Sequence, residues 1–518
     1  MNGEDVVTWA WLGAVVTVLI VGAGPVGLTG ALLLARKGIP SVVLESRQQR
    51  AVMGSRAICV QRDVLDILER VGVGWKVVDA GVTWYSGRIF YREHEVVTMA
   101  FPEPPPGQFP PFVNTPQNVV EGLLEAEVAA EPLIDLRYDH PVTGLRQDDD
   151  GVTVAAGGRE FDGSHCIAAD GSRSTARDLL GLPFDGRSFE DKFLITDIRA
   201  KLDYPVPERR FYFDPDWNPG RQVLLHPQPD SVWRIDWQVP EDYDLAADQA
   251  GDGLHTRIRQ VIGEIDYDLI WASVYRFHQR RVPRMRVGRV FLAGDAAHVM
   301  SPFGARGMNS GLADVENAAW KIAATHAGWA GGALLSTYDT ERGAAADENL
   351  AVTAATMRFL VPADATERAH RHEILERSVR DPSVRSQIDS GKLSEPFWYL
   401  DSPLTTPSGE SDFPTEPGVP RPPVPGVLCP DVPLPDGTRL RDKFGPWFTV
   451  LAAPGVELPE LPDHVTVVPV PPDAAALLTL GESGAAVVRP DGYLAAVSRG
   501  PDVDQEVISA LSRGAGHQ

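Results

Sequence analysis

The chain has 518 residues, 43% of them hydrophobic and 23% charged, the balance of a globular protein long enough to bury at least two cores. Its 48 basic residues against 71 acidic ones leave a net charge of −23, which repels phosphate backbones, and no basic block offsets it, so nucleic acid is excluded as a partner. Cys59, Cys166 and Cys429 lie far apart and form no CxxC pair, so neither a disulfide framework nor a metal site is expected, and a cytoplasmic location fits best.

From the start of the chain, Val6–Ala35 carries no charged residue and is long enough to span a membrane. Gly22, Gly24, Pro25, Gly27 and Gly30 interrupt it, so it is read as a buried strand, a glycine turn and a buried helix, with no membrane association. Glu4 and Asp5 stand where a secretory signal needs basic residues. The first strand is predicted over Val16–Val21, the turn over Gly22–Gly27, the helix over Leu28–Lys37 ending at Gly38, and the next strand over Ser41–Glu45. This is a βαβ unit with a right-handed crossover. Thr83–Met99 and Phe193–Val239 alternate and are rich in aromatics, the pattern of antiparallel strands in a second layer. A buried strand returns at Val290–Ala293, and a helical region runs from Asn309 to about Phe359. Asp401–Val427, rich in Pro, Ser and Thr, reads as a linker, and three short strand signals beyond it predict a small α/β domain.

The first motif with chemistry is Gly22-Ala23-Gly24-Pro25-Val26-Gly27, with Glu45 closing the second strand. Gly22 permits a tight turn, Gly24 lets backbone approach a pyrophosphate, and Gly27 lets helix and strand pack closely. The helix start then offers unpaired N–H groups and its positive dipole end to the phosphates. Glu45 stands where a carboxylate accepts ribose hydroxyls, which favours FAD or NAD over a 2′-phosphorylated ribose. The plain alternative is a structural glycine turn in a doubly wound sheet.

The second motif is RVFLAGD, a buried strand ending in Gly294-Asp295. An aspartate at a strand's carboxyl end points into the ligand crevice and can hold a second set of hydroxyls, such as the ribityl chain of a flavin. Pro302-Phe303-Gly304-Ala305-Arg306-Gly307-Met308-Asn309 follows and opens a helix whose N–H groups suit the partial negative charge of a reduced flavin ring. An NAD enzyme needs no such element. Asp295 could instead cap the turn after it, and His298 is expected to pack or hydrogen-bond locally.

On these residues the chain resembles the class A flavoprotein aromatic hydroxylases, the group of para-hydroxybenzoate hydroxylase, and most of all the 3-(3-hydroxyphenyl)propionate hydroxylase and aromatic polyketide hydroxylase branch. GAGPVGL, the Asp170-Gly171 stretch of AADGSRSTAR and GDAAHVMSPFGARGMNSG match three family motifs in order over roughly Val16 to Arg342. The tail more loosely resembles a thioredoxin-like domain without its CxxC. The resemblance implies an α/β fold in which a Rossmann-like FAD-binding domain (1–185 with a small β insertion near 83–110, then 281–400 with the helical region) carries an inserted antiparallel β-sheet substrate domain (186–280). A linker (401–427) and the thioredoxin-like domain (428–518) complete it. By the same resemblance Arg56 and Gln117 contact the flavin, Ser46 and Arg47 accompany Glu45, and Asp170 touches both FAD and the path of the reductant.

The resemblance also implies a reaction. NADH or NADPH, bound only transiently, reduces FAD; oxygen forms a C4a-hydroperoxyflavin, and one oxygen atom passes to an aromatic small-molecule substrate. Pro302 is expected to line the flavin ring, and His226, Tyr212, Arg234 and Trp237 to lie in the sheet that roofs the pocket, each with an ordinary sheet-core role as the alternative. A flavin halogenase or dehydrogenase on the same scaffold and a non-catalytic FAD-binding protein remain as alternatives, as does Baeyer–Villiger or epoxidising chemistry. A homodimer is compatible with the sequence without being fixed by it.

Overall fold

The computed structural model describes residues 17–50, 57–204, 206–407, 413–414 and 419–517. Short aliphatic runs between glycine turns form its central sheet. Val18–Val21 is buried at every position and pairs in parallel with Ser41–Leu44 on one side and His165–Ala168 on the other. Ile134–Arg137 extends one edge, Val290–Leu292 the other in parallel, and Arg286–Val287 ends it as an antiparallel strand. Apolar residues on both faces of such strands require helices on both faces. The crossover helix spans Pro25–Ala35, three residues earlier at its start than the sequence suggests. Gly24 is extended there and serves as the N-cap, and the fixed φ of Pro25 suits the first helical position.

The long helical region divides. Arg306–His326 ends before Gly328, which adopts a φ of 74° that permits the chain to reverse, and Gly332–Leu360 follows. A further helix, Ala365–Ser378, has no separate counterpart in the sequence reading. The helices Pro25–Ala35 and Arg306–His326 touch closely, because a Cβ on Gly30 would meet Val315 Cγ2 at 2.4 Å.

The aromatic-rich stretches join in one eight-stranded sheet. Its order is His298–Val299, Tyr267–Arg281, Asp185–Ala200, Val232–Val239, Gln222–Pro227, Glu208–Phe213, Ser86–Tyr91 and His94–Ala100. The 86–100 hairpin extends this sheet, and Ser86–Tyr91 pairs in parallel with Glu208–Phe213 where antiparallel pairing was expected. One face packs Trp233, Ile235 and Trp237 on the Gly253–Ile262 helix. The other packs Phe193, Phe211, Phe213 and Phe277 against Phe303, Met357, Leu360 and Ile374.

The tail builds a four-stranded sheet ordered Thr466–Pro469, Thr449–Ala452, Ala485–Val488, Leu494–Ser498. The first pair is parallel and the others antiparallel, the strand order and directions of a thioredoxin-like sheet, with stretch 453–465 in place of the helix between the first two strands. Near each end of 401–427 the backbone is tied to this sheet: Thr406 N–H donates to Ala495 O and Gly426 N–H to Leu494 O. Among the described residues no helix is long and apolar enough to cross a membrane.

Candidate functional site

The parallel register aligns the carboxyl ends of four strands, so Gly22, Glu45, Asp170 and Gly294-Asp295 emerge along one edge of the central sheet. Gly22 adopts a φ of 100°, and a Cβ there would lie 2.5 Å from Ala169 O. A Cβ on Gly27 would fall 1.9 Å from Gly22 O, so this turn excludes any side chain at either position. Gly24 differs: nothing lies within 4 Å of its Cβ position, which leaves open space in front of a helix with no side-chain cap. Val26 closes the back of the turn, its Cγ2 lying 2.8 Å from a Cβ placed on Gly311 and 3.2 Å from one placed on Gly294.

Glu45 is buried and crowded with donors. Ala23 N–H reaches Oε2 at 2.9 Å, while Arg47 N–H and Arg47 Nε each reach Oε1 at 2.9 Å, and Ser46 Oγ lies 3.3 Å away. Burial alone would raise its pKa, but the Arg47 side chain and these backbone donors hold it below the usual carboxylate range. Gln117 begins a helix and donates to Glu121 at 2.8 Å, and it accepts from Ala57 N–H at 3.4 Å. Arg56 lies outside the described residues. Ser174 caps the short Thr175–Leu179 helix, and Asp170 supports that start by accepting Ser174 Oγ at 2.5 Å and Ala176 N–H at 3.0 Å, while Gly171 turns the chain with a φ of 79° and open space at its Cβ position.

Behind Asp295 stands a residue that sequence reading missed. Asp314 is fully buried and accepts Gly294 N–H at 3.0 Å, His298 Nε2 at 2.7 Å and Arg342 Nε at 2.7 Å. Burial would raise its pKa, yet His298 and Arg342 bring it down to about 2. His298 thus has the local partner expected of it. Asp295 opens no cap: it lies within the Gly294–Ala296 turn, whose N-cap is Ala293. Gly304 and Ala305 then take positive φ angles of 91° and 57° and aim the Arg306–His326 helix start, which also has no side-chain cap. Nothing lies within 4 Å of a Cβ on Gly307, and Met308 packs against the central core. The Asn309 side chain is occupied within the protein, donating to Cys59 O at 3.0 Å and Ala305 O at 2.5 Å and accepting Gln61 N–H at 3.3 Å. It can offer a ligand only its backbone.

Pro302 is exposed at the head of this loop, and Phe303 is buried with its ring 5.5 Å from Phe193 and 5.8 Å from Phe277. The loop therefore sits against the inner face of the eight-stranded sheet. Strand register places His226 beside Arg234 and Arg234 beside Asp197 on that face, with Arg209 one step beyond the Arg210–Leu225 pair and so next to His226. Arg234 Nη2 is paired with Asp197 at 2.8 Å. In the adjoining row Asp236 stands between Leu224 and Ile195, its Oδ2 3.9 Å from His226 Nε2. Burial, then Arg209 and Arg234, hold His226 well below its ordinary pKa, and burial pushes Asp236 up to about 7. Arg209 and Asp236 also escaped sequence reading; the signal for both was a charge at an inward position of an alternating strand. Tyr212 faces the other way, stacked on Phe90 at 4.8 Å, and Trp237 lies in the core of that same outer face. Neither meets His226, because period-two alternation sends residues 211 and 212 to opposite faces.

An open glycine turn flanked by acidic ends on the strands either side of it, Glu45 and Asp170, is the layout of a dinucleotide-binding protein. The chain belongs to the family described as FAD binding domain, whose model matches residues 15–353. It is 30% identical over 446 residues to the 3-(3-hydroxy-phenyl)propionate/3-hydroxycinnamic acid hydroxylase of Burkholderia cenocepacia strain HI2424, covering 84% of this chain and 79% of that one. It is 32% identical over 406 residues to the dialkyldecalin synthase of Streptomyces rugosporus, covering 76% and 84%. Among solved structures, the flavin-dependent monooxygenase PieE, in complex with FAD and substrate, superposes with a TM-score of 0.81 over 97% of this chain and 99% of that one at 24% identity. Aklavinone-11 hydroxylase, in ternary complex with FAD and aklavinone, gives 0.72 over 98% and 100% at 24% identity. The residues present fit FAD: two uncapped helix starts and the unfilled space at Gly24 and Gly307 form a cradle that any Cβ would narrow.

Proposed function

We propose that the protein is an FAD-dependent monooxygenase that consumes NADH or NADPH and O2 and hydroxylates a phenolic or polycyclic aromatic substrate. The observation that carries this reading is the buried aromatic and ionisable face of the eight-stranded sheet, set against the Pro302–Gly304 loop at the end of the cofactor cradle. Gly22 to Gly27 and the N–H groups of the helix behind them would hold the pyrophosphate. Glu45, with Ser46 and Arg47, would receive the adenosine ribose once Arg47, which is 43% exposed, swings aside. Asp170, Gly171, Gly294 and Asp295 would line the middle of the cofactor, and Gln117, Gly304, Gly307, Met308 and the backbone of Asn309 the ring. Bound FAD would supply the redox and oxygen chemistry, for which the protein has no group of its own.

The chain's own part is to shield and to move a proton. Removing the proton of a phenol raises the nucleophilicity of its ring, and a proton acceptor works best with a pKa near the working pH. His226, held neutral by burial and two arginines, is a weak base, whereas Asp236 at about 7 is poised for exchange. Asp236 is accordingly assigned the phenolic proton, with His226 its neighbour and Arg234 locked in place by Asp197. Tyr212 is assigned a packing role.

A second reading, a synthase that builds a carbon skeleton on the same cofactor, is favoured by the 32% identity to the dialkyldecalin synthase. One experiment separates them. The FAD-loaded protein is incubated with NADH or NADPH, 18O2 and a panel of phenols and polycyclic phenols. Substrate-stimulated nicotinamide oxidation with one labelled oxygen in the product is expected. Flavin binding without nicotinamide oxidation on any substrate overturns the monooxygenase reading and leaves the synthase or a non-catalytic FAD protein.

A further inference from the structure

A buried guanidinium without a counter-ion is an expensive feature, because the charge loses its water and gains nothing equivalent. Arg209 is such a group. It is 4% exposed, and among the described residues no carboxylate forms an ion pair with it. Its neighbour Glu208 is committed to Arg88 and Arg210 on the other side of the strand. Nη2 of Arg209 donates to Ser390 O at 2.7 Å, and Nη1 is buried with no acceptor. Arg371, also buried without an ion pair, is different: its two terminal nitrogens find Gly220 O, Leu360 O and Gln222 Oε1. Arg209 keeps a donor in reserve.

Its position says for what. Arg209 stands beside His226 on the inner sheet face, and its charge is felt by Cys59, whose carbonyl is held by Asn309 at the start of the helix Arg306–His326. Ser390 belongs to the turn in which a Cβ on Gly391 would come within 3.0 Å of Phe303 Cβ. The guanidinium therefore lies between the substrate face and the loop at the flavin. The acidic groups whose charge reaches it are Asp236 and Asp389, and Asp389 is occupied by Thr356 and Gly391 N–H. Asp236 carries an orphan of its own: Oδ1 is buried and makes no hydrogen bond. A buried donor and a buried acceptor, each without a partner, thus lie on one sheet face, Arg209 next to His226 across the strands and Asp236 within 3.9 Å of it.

We propose that Arg209 is the anion-binding residue of the substrate pocket, receiving an ionised oxygen of the aromatic substrate on Nη1 while Asp236 Oδ1 and His226 engage a neighbouring hydroxyl. The proposal rests on the monooxygenase reading for its word "substrate" and names the class: an aromatic acid, or a phenol ionised by conjugation. A planar fork of N–H donors suits either a carboxylate or a phenolate. A pocket built around a buried donor discriminates strongly against an analogue that leaves it unpaired.

The test uses the FAD-loaded full chain, with binding read from the perturbed flavin absorbance and turnover from nicotinamide oxidation. The probes are 3-(3-hydroxyphenyl)propionate and 1-hydroxy-2-naphthoate, each with its methyl ester and its O-methyl ether. Wild type is expected to bind at least one parent about tenfold more tightly than the derivative that lacks its anion. Loss in the ester identifies a carboxylate, and loss in the ether a phenolate. Arg209→Met is expected to erase that preference and Arg209→Lys to keep part of it, with FAD content unchanged in both. Because Met removes an uncompensated charge, Arg209→Met should not lower the thermal midpoint of the ligand-free protein by more than about 2 °C. A clear fall in the midpoint makes Arg209 structural and overturns the proposal. Equal binding of parents and derivatives, or no binding by any probe, overturns it too. Selective binding of the acids without oxygenated product leaves the anion site standing and sinks the monooxygenase reading; equal turnover of acids and esters does the reverse.

Discussion

A carboxylate with no water around it must be surrounded by donors, and Asp314 has three, one of them the N–H of Gly294 beside Asp295. It therefore connects stability to the cofactor edge. Asp314→Ala leaves Arg342 buried beside a cavity and is expected to cost about 3–5 kcal/mol of unfolding free energy. It should also weaken FAD binding, because the Gly294–Asp295 turn loses its anchor. Denaturant melts with and without excess FAD measure both effects, and unchanged FAD affinity would confine Asp314 to the fold. The pH dependence has a fixed sign. A carboxyl whose folded pKa is brought down to about 2 contributes fully above its ordinary value near 3.8 and loses that contribution as pH falls toward 2, so acid unfolding of the wild type should be steeper than that of the variant. Gly22, Gly24, Gly27 and Glu45 were legible because their chemistry is local to one strand–turn–helix. Asp314, Asp236 and Arg209 were not, because their meaning depends on partners set by strand register and helix packing. His226 and Tyr212 looked alike in the sequence, and only the pairing of their strands assigned them to opposite faces.

At the scale of the element, the glycine turn makes a prediction that one position alone could not. Gly24 has empty space where a Cβ would go, while Gly27 would drive its Cβ into Gly22 O at 1.9 Å. Gly24→Ala should thus fold with a thermal midpoint within about 2 °C of wild type yet lose FAD affinity, whereas Gly27→Ala should lose stability first and FAD as a result. Flavin fluorescence on refolded protein and a thermal melt with no added FAD separate the two. If both variants behave alike, the space at Gly24 does not receive a ligand. The same turn shows where local signals stop. The apolar run predicted a buried helix but not its first residue, because an extended Gly24 and a Pro25 at the first position act through φ and ψ, which composition does not express.

Across the whole molecule, the tail is bound to the rest by buried charge. Glu341 on the Gly332–Leu360 helix accepts from Lys321 at 2.6 Å, Asn317 at 2.9 Å and Ser402 at 2.6 Å, and both terminal nitrogens of Arg489 in the tail reach it. Arg489 also pairs with Asp491, and Arg439 and Arg441 both grip Asp66 on the Arg62–Arg70 helix. Trp320 and Leu334 share a core with Phe448 and Val450. These ties predict one cooperative thermal transition for the full chain. Glu341→Ala should strand the buried Lys321 ammonium and leave Arg489 with Asp491 alone, cost about 3–5 kcal/mol and split off an early transition from the tail. Calorimetry checks this, and an unchanged single transition would show that the network is dispensable. The sequence marked the tail as separate because 401–427 has a linker's composition; it could not show that Thr406 and Gly426 are tied to the tail's sheet, since those bonds run from backbone to backbone. Cys429 fits the same picture, a buried thiol pushed up to about 12 and committed to packing.

The central sheet draws its middle strands from Val18–Val21, His165–Ala168 and Val290–Leu292, so its two cofactor-facing halves are far apart in order of synthesis. At the usual pace of a ribosome, Gly294 and Asp295 emerge roughly 15–50 s after Gly22. Until then the nascent chain carries a glycine turn with no opposing wall and a greasy strand with one neighbour missing. The cofactor edge is therefore incomplete until more than half of the chain has been made, and the growing polypeptide exposes apolar strand edges until then.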